Sequence, residues 1–202
     1  MGLGLIVVLI LTVVMLSSYF YGRYVNFRLQ KKYWAVLSKA IKEYSRKVNY
    51  RSLGSSLFQV SFPGRPPLKR VELTVLLMDR EFLTHYIASK LMGKTDEFIL
   101  KASFTAKPDF TLQIGGKPGE MKRLEQGWVG MEVYTDSRAR AVRILGDEKF
   151  REAVRGIGDD LFLLVVGRSE PNILVRCSAN PDVARLMIRV AHRVSSLVTS
   201  KG

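Results

Sequence analysis

From Leu3 to Leu16 the chain reads LGLIVVLILTVVML, apolar except for Gly4 and Thr12, and no charged side chain occurs before Arg23. Roughly 20 residues at ~1.5 Å rise cross a ~30 Å hydrocarbon core, so Gly2 to Tyr21 is long enough to span a bilayer. Tyr19, Phe20, Tyr21 and Tyr24 then stand where an interfacial aromatic belt belongs. A cleaved signal peptide would want a basic region before the apolar run and a small-x-small site after it, and neither is present. Ile6 stands where N-myristoylation needs Ser or Thr. A buried helix at the head of a soluble protein is the bland alternative, and the abrupt charge step at Arg23 argues against it.

A second pattern begins at Arg23. Phe27, Trp34, Ile41 and Val48 recur every seven residues with Leu37 and Tyr44 between them, which predicts an amphipathic helix over 23–49 whose apolar stripe docks on the rest of the protein. Beyond it, SSLFQVSF and LKRVELTVLLM flank Pro63-Gly64-Arg65-Pro66-Pro67 and read as a hairpin. A helix is expected next, with Asp79 as N-cap, Phe82, Leu83, Tyr86, Ile87 and Leu91 on its buried side, and Gly93 as stop. Phe98, Leu100, Ala102 and Phe104 alternate through a strand for which FTLQI is the expected partner.

MEVYT reads as a further strand, followed by a helix capped by Ser137 and another after Asp147 carrying Phe150, Val154 and Ile157. LFLLVVG and NILVRCS are two adjacent strands across a turn at 168–171. The last helix has the clearest start, with Asn180 as cap and Pro181 at its first position, and an apolar face of Val183, Leu186, Met187, Val190, Val194 and Leu197. Neighbouring strand pairs alternating with helices predict an α+β two-layer sandwich with a largely antiparallel sheet, preceded by one transmembrane helix. The expected divisions are a transmembrane anchor at 1–22, a basic amphipathic juxtamembrane helix at 23–49 and a cytoplasmic α+β domain at 50–202.

Charge sharpens this picture. The chain has 202 residues and a net charge of +14, and residues 23–70 hold twelve bases and one acid, Glu43. Residues 71–202 are nearly balanced, with 20 bases against 17 acids. The excess therefore follows the apolar span directly, which by the positive-inside rule places the N-terminus outside and the C-terminal domain in the cytoplasm. The single Cys177 and the lack of an N-x-Ser/Thr sequon agree with that side. Arg23, Arg28, Lys31, Lys32, Lys39, Lys42, Arg46 and Lys47 form a candidate surface for lipid headgroups or RNA, since topology alone needs only the first few.

Candidate chemistry is sparse. His85 and His192 each stand alone on a predicted helix, with no ligand at metal spacing, so no metal site, cofactor or catalytic residue is expected. Cys177 on a predicted buried strand reads as core. Gly115, Gly116 and Gly119 lack the ending of a phosphate-binding loop. Asp159 and Asp160 are a carboxylate pair that reads first as a solvated turn, and Arg185, Arg189 and Arg193 are an i, i+4 stripe that reads first as a wet helix face.

Asn26-Phe27-Arg28-Leu29, followed by Trp34 and the basic helix, resembles the membrane-helix exit of the calumin family. The resemblance continues through Val71 to Met92 and through Ser137 to Leu145. Members of that family are coiled-coil-containing subunits of the PAT complex of the endoplasmic reticulum, a chaperone for multipass membrane proteins. The resemblance implies a single span with the N-terminus outside, a cytoplasmic domain beside the Sec translocon and the ribosome, and a role in membrane-protein biogenesis. This chain departs from the family pattern in having no acidic segment before the span and no long basic coiled coil before Gly202. Calcium binding is therefore not implied. Asn and Gln number only eight while charges abound, a composition that fits a short relative from a hot, archaeal setting.

Together these features lead to the expectation of a non-enzymatic, membrane-anchored adaptor. Its expected partners are the bilayer with its anionic headgroups and the Sec translocon, the ribosome or a small membrane protein. The competing expectation is a membrane-tethered enzyme or small-ligand sensor with its site in the 114–120 loop or near Asp159 and Asp160.

Overall fold

A computed structural model describes residues 2–116, 121–124, 128 and 130–200. It opens with α1, Gly2–Lys42, a single 41-residue helix that is long and apolar enough to cross a membrane, with none of its most apolar 18-residue stretch buried against the domain. Arg23 through Lys42 continue that helix without a break. It ends at Lys42, short of the expected 49, where the N–H groups of Tyr44 and Ser45 close back on Ile41 O. Ser45 bonds both the N–H and the C=O of Lys47 and fixes the turn that follows.

The chain then builds a nine-stranded sheet in the order β1-β2-β3-β4-β9-β8-β5-β7-β6, antiparallel at every pairing. The strands are β1 Asn49–Ser52, β2 Leu57–Pro63, β3 Leu68–Leu76, β4 Glu97–Phe104, β5 Leu112–Ile114, β6 Lys122–Arg123, β7 Val133–Thr135, β8 Leu161–Val166 and β9 Ile173–Ser178. The helices after α1 are α2 Leu83–Leu91, α3 Arg138–Leu145, α4 Glu148–Ile157 and α5 Val183–Thr199. Alternation in β2, β3, β4 and β9 puts every second side chain into one core with α3, α4, α5 and the second half of α1. The opposite face, with Gln59, Thr74, Ile99 and Arg176 across four strands, carries no helix layer among the described residues. The result is the two-layer α+β sandwich that the strand pairs predicted.

Three local expectations change. FTLQI contains β5, but β5 pairs with β8 and β7, whereas β4 lies between β3 and β9. The long excursion through α3 and α4 lets β8 and β9 insert between β4 and β5, a non-local pairing that no short window of sequence encodes. The last helix starts at Val183 with Asp182 at its cap position, while Asn180 folds a preceding turn by accepting the Asp182 N–H. The largest change is in α2: only Ser89 is buried, and Phe82, Leu83, Ile87 and Leu91 are exposed. On its half-buried side Tyr86 lies under the Arg80 guanidinium, 5.6 Å from the ring centre, and Arg80 is itself paired with Asp96. Asp79 is not the helix cap but a turn former that accepts the Glu81 N–H. Gly93, at φ +71°, ends the helix as expected.

Candidate functional site

The helix α1 joins the apolar span to the domain, and its seam decides where every basic residue points. The buried positions are Gly22, Asn26, Gln30, Tyr33, Leu37, Ala40 and Ile41. The upper part of this seam is polar. Asn26, with no exposed surface, donates from Nδ2 to Ser56 Oγ (3.1 Å) and Met78 O (3.2 Å), and its Oδ1 accepts from Arg80 Nη1 (2.9 Å). Gln30 Nε2 donates to the carbonyls of Gly54 (2.8 Å) and Ser55 (2.6 Å). Arg80 in turn forms a two-pronged pair with Asp96 at 3.0 Å, and Asp96 also accepts the Met78 N–H. At Gly22 a Cβ would lie 1.8 Å from Arg80 O, so helix and loop meet backbone to backbone.

Below this polar lock the seam turns apolar. Tyr33 meets Phe98 edge-on with ring centres 5.3 Å apart, Trp34 lies against Tyr50 at 5.1 Å, and Leu37 and Ile41 are fully enclosed. Burial pushes the Tyr33 phenol above its ordinary value, and the Asp96 carboxylate adds to the rise. Phe27, expected on the seam, is 38% exposed and lies under the Arg23 guanidinium. The far end of α1 is tied down by Arg65 Nε, which donates to Tyr44 O at 3.1 Å, and by an ion pair between Arg185 and Glu43.

At ~100° per residue the seam fixes the outer face. Arg28, Lys31, Lys32, Lys39 and Lys42 fall on the side of α1 opposite the buried row, and Arg23 lies at its edge. Arg46 and Lys47 sit in the turn beyond. All eight predicted basic residues are exposed, and none forms an ion pair among the described residues. Arg46 and Lys47 line an open groove of about 760 Å³ with Lys69 and Arg70 of β3, and Val48, Phe62 and Pro63 form its floor. Lys69 and Arg70 adjoin this cationic surface, although the sequence placed them on a strand rather than with the helix, and unlike the eight they lie 3.9 Å from acids, Glu170 and Glu72.

The structure thus divides the basic residues by height along α1. Arg23 and Arg28 stand within ~10 Å of Tyr21, whereas Lys39 and Lys42 are ~27 and ~32 Å away along the axis. The α1 axis follows the sheet: Gly22 meets the loop after β3, and Tyr44 meets Arg65 in the β2–β3 turn at the opposite end of those strands.

The remaining candidates are held by internal contacts. Asp160 accepts from Ser178 Oγ and from Asn180 Nδ2 (2.9 Å), joining the 3-10 turn Gly158–Asp160 to the end of β9. Asp159 is exposed beside it. In the 114–120 loop Gly115 takes φ +75° against Phe162 O, and residues 117–120 lie outside the described residues. Arg185 and Arg193 of the predicted stripe pair with Glu43 and Asp147. Asp147 also caps α4 by accepting the Phe150 N–H at 2.9 Å. The hydrogen bond from Arg193 holds its carboxyl below the usual carboxylate range, outweighing the opposing effect of burial, and the Phe150 N–H adds a lesser lowering.

Arg189, His192, Lys149, Glu152 and Arg65 line a cavity of about 760 Å³ beside α4 and α5. Cys177 is fully buried on β9, where burial pushes its thiol up to about 12. His85 faces Asp79 at 3.7 Å, and no group of three or more potential metal ligands occurs among the described residues. Compared with known proteins, the chain matches no family model and no curated protein.

Proposed function

We propose that this protein is a non-enzymatic adaptor anchored in a membrane by the first half of α1, with its N-terminus outside and its α+β domain in the cytoplasm. The domain holds a basic surface away from the bilayer to engage ribosomal RNA beside the Sec translocon, in support of membrane-protein biogenesis. The carrying observation is the unbroken, locked α1. Because Asn26 and Gln30 fasten the helix to the domain, Lys39, Lys42, Arg46 and Lys47 are held at the far end of a strut and cannot fold back to the headgroups.

Even at a tilt of ~40°, Lys42 stands over ~20 Å from the level of Tyr21, more than two Debye lengths at physiological salt. Headgroup attraction therefore accounts for Arg23 and Arg28 but not for the distal group. An acidic partner rising from the membrane surface, as a ribosome docked on a translocon does, accounts for both. The charge step after the span supports the cytoplasmic placement, and the calumin-like segments support the same setting.

The test is co-sedimentation. Membranes solubilised at low salt should yield the protein with ribosomes, with release on raising salt and a slope of log affinity against log salt that falls when Lys39, Lys42, Arg46 and Lys47 are reversed to Glu. Charge reversal at Lys31 and Lys32 should weaken the association less. Absence of ribosome or translocon association at low salt would overturn the proposal.

A further inference from the structure

Helix α2 turns its apolar residues outward. Phe82, Leu83, Ile87, Leu91 and Met92 are 46–85% exposed, five large apolar side chains within eleven residues, while Ser89 is the one buried residue of the helix. Leu83, Ile87 and Leu91 repeat every four residues and form a single stripe roughly opposite Ser89. Exposed apolar residues scattered singly need no explanation, but a continuous stripe on a folded helix does.

The place of α2 in the fold names what covers it. It connects the end of β3 to the start of β4 and so caps the end of the sheet, with its preceding loop against Gly22 of α1 at Arg80 O. Gly22 directly follows the apolar span and its aromatic cluster, and α1 runs from there along the sheet towards the β2–β3 turn. Thus α2 closes the end of the domain from which the span departs, at the height of the interfacial tyrosines.

Charge agrees with this placement. The acids nearest α2 have partners: Asp96 pairs with Arg80, Glu81 accepts from Ser55, and Asp79 accepts the Glu81 N–H beside His85, while the exposed Asp159 and Asp182 stand further along the same sheet end, beyond β8 and β9. Lys90, Lys94 and Arg23 are exposed, and none forms an ion pair among the described residues. Apolar side chains with flanking free bases are the composition of a helix lying in the headgroup region.

We infer that α2 is a second membrane contact, an interfacial helix whose Leu83–Ile87–Leu91 stripe enters the headgroup–acyl boundary of the bilayer that α1 crosses. This inference rests on the membrane-spanning reading of α1. Two contacts, one spanning and one lying flat, fix the azimuth of the domain about α1, which a single helix leaves free to rotate, and thereby aim the distal basic surface.

The test uses the full-length chain reconstituted in liposomes containing anionic phospholipid, with Cys177 replaced by Ala and an environment-sensitive fluorophore on one introduced cysteine at a time. Ile87→Cys reports α2, Leu9→Cys reports the span, and Val142→Cys is an exposed apolar control on α3. Phospholipid brominated near the headgroup should quench the Ile87 label at least about threefold more than the Val142 label, and aqueous iodide should quench it less. If Leu9 is shielded from iodide and reached by lipid brominated deep in its chains while Ile87 is not reached by shallow bromine, the inference about α2 fails and the span stands. If neither Leu9 nor Ile87 is reached, the spanning reading itself fails. If Ile87 is shielded from iodide but unreached by bromolipid, a protein surface covers α2 and the inference is overturned.

Discussion

The polar seam between α1 and the domain makes a prediction opposite to the one that hydrophobic periodicity makes. Replacing Asn26 by Leu keeps the approximate volume but removes three hydrogen bonds, two donated by Nδ2 and one accepted from the Arg80 guanidinium at 2.9 Å. Neutral bonds contribute about 0.5–1.5 kcal/mol each and those to a charged group about 1.5–3. Arg80 and Met78 O keep each other as partners, and Arg80 also keeps Asp96, which limits the loss. The expected cost is about 3 kcal/mol, which for a chain of this size lowers Tm by about 6–12 °C. Phe27→Ala, at a half-exposed neighbour, should stay within about 0.5 kcal/mol of the wild type.

Both variants can be compared by thermal unfolding of the detergent-solubilised full-length protein, followed by near-ultraviolet circular dichroism. Gly22→Ala provides a companion measurement. Its Cβ would meet the Arg80 backbone, which cannot move aside as a flexible side chain can, so protease cleavage between α1 and β1 should accelerate. A larger loss for Phe27→Ala than for Asn26→Leu would refute the polar lock and return the seam to the aromatic stripe.

Two further outcomes follow from the chemistry inside the domain. Asp147 has a lowered pKa in the folded state, so its ion pair with Arg193 stabilises above the unfolded carboxylate value of about 3.9 and fades as pH falls through the folded value. Asp147→Asn retains the α4 cap but loses that charge. The wild type should exceed it by up to about 1 kcal/mol at pH 7, the pair being partly solvated, with a gap that is flat down to about pH 5 and closes below pH 4. A gap that widens on acidification would contradict this assignment. Cys177, pushed up to about 12 against an ordinary 9.0, should react with maleimide at pH 8 on the order of a thousandfold more slowly in the folded protein than in urea. Rapid labelling of the native chain would show that β9 is not the enclosed strand described.

How much of this was legible in the sequence differs from element to element. β4 was plain, because Phe98, Leu100, Ala102 and Phe104 alternate on a sheet with one covered face, and all four are buried. α5 was plain because its apolar face is wide and continuous. The α1 seam was displaced by one residue at its upper end, because aromatic periodicity selected Phe27 where the contact is made by Asn26 and Gln30. A usable signal was present: Asn and Gln number only eight in the chain, and two of them lie four apart on this helix.

In α2 the periodicity correctly marked an apolar face. Period alone cannot say whether that face meets a core or a membrane; the structure shows it uncovered, and the position of α2 beside Gly22 is what the inference of a membrane contact rests on. Of the candidate surface, the eight bases of the 23–47 segment were legible as a charge excess. Their separation into a group beside the apolar stretch and a group ~30 Å along the helix from it required knowing that the helix is unbroken and locked.

In the function we propose, the strut presents its distal basic residues to ribosomal RNA while its proximal end lies at the lipid. A photoactivatable amino acid at Lys42 of the full-length protein, irradiated in native membranes at low salt, tests it most directly. Adducts with ribosomal RNA or ribosomal protein that disappear at high salt, and none with lipid, are the expected result. Lipid adducts at Lys42, or no adduct with any ribosomal component, would contradict it.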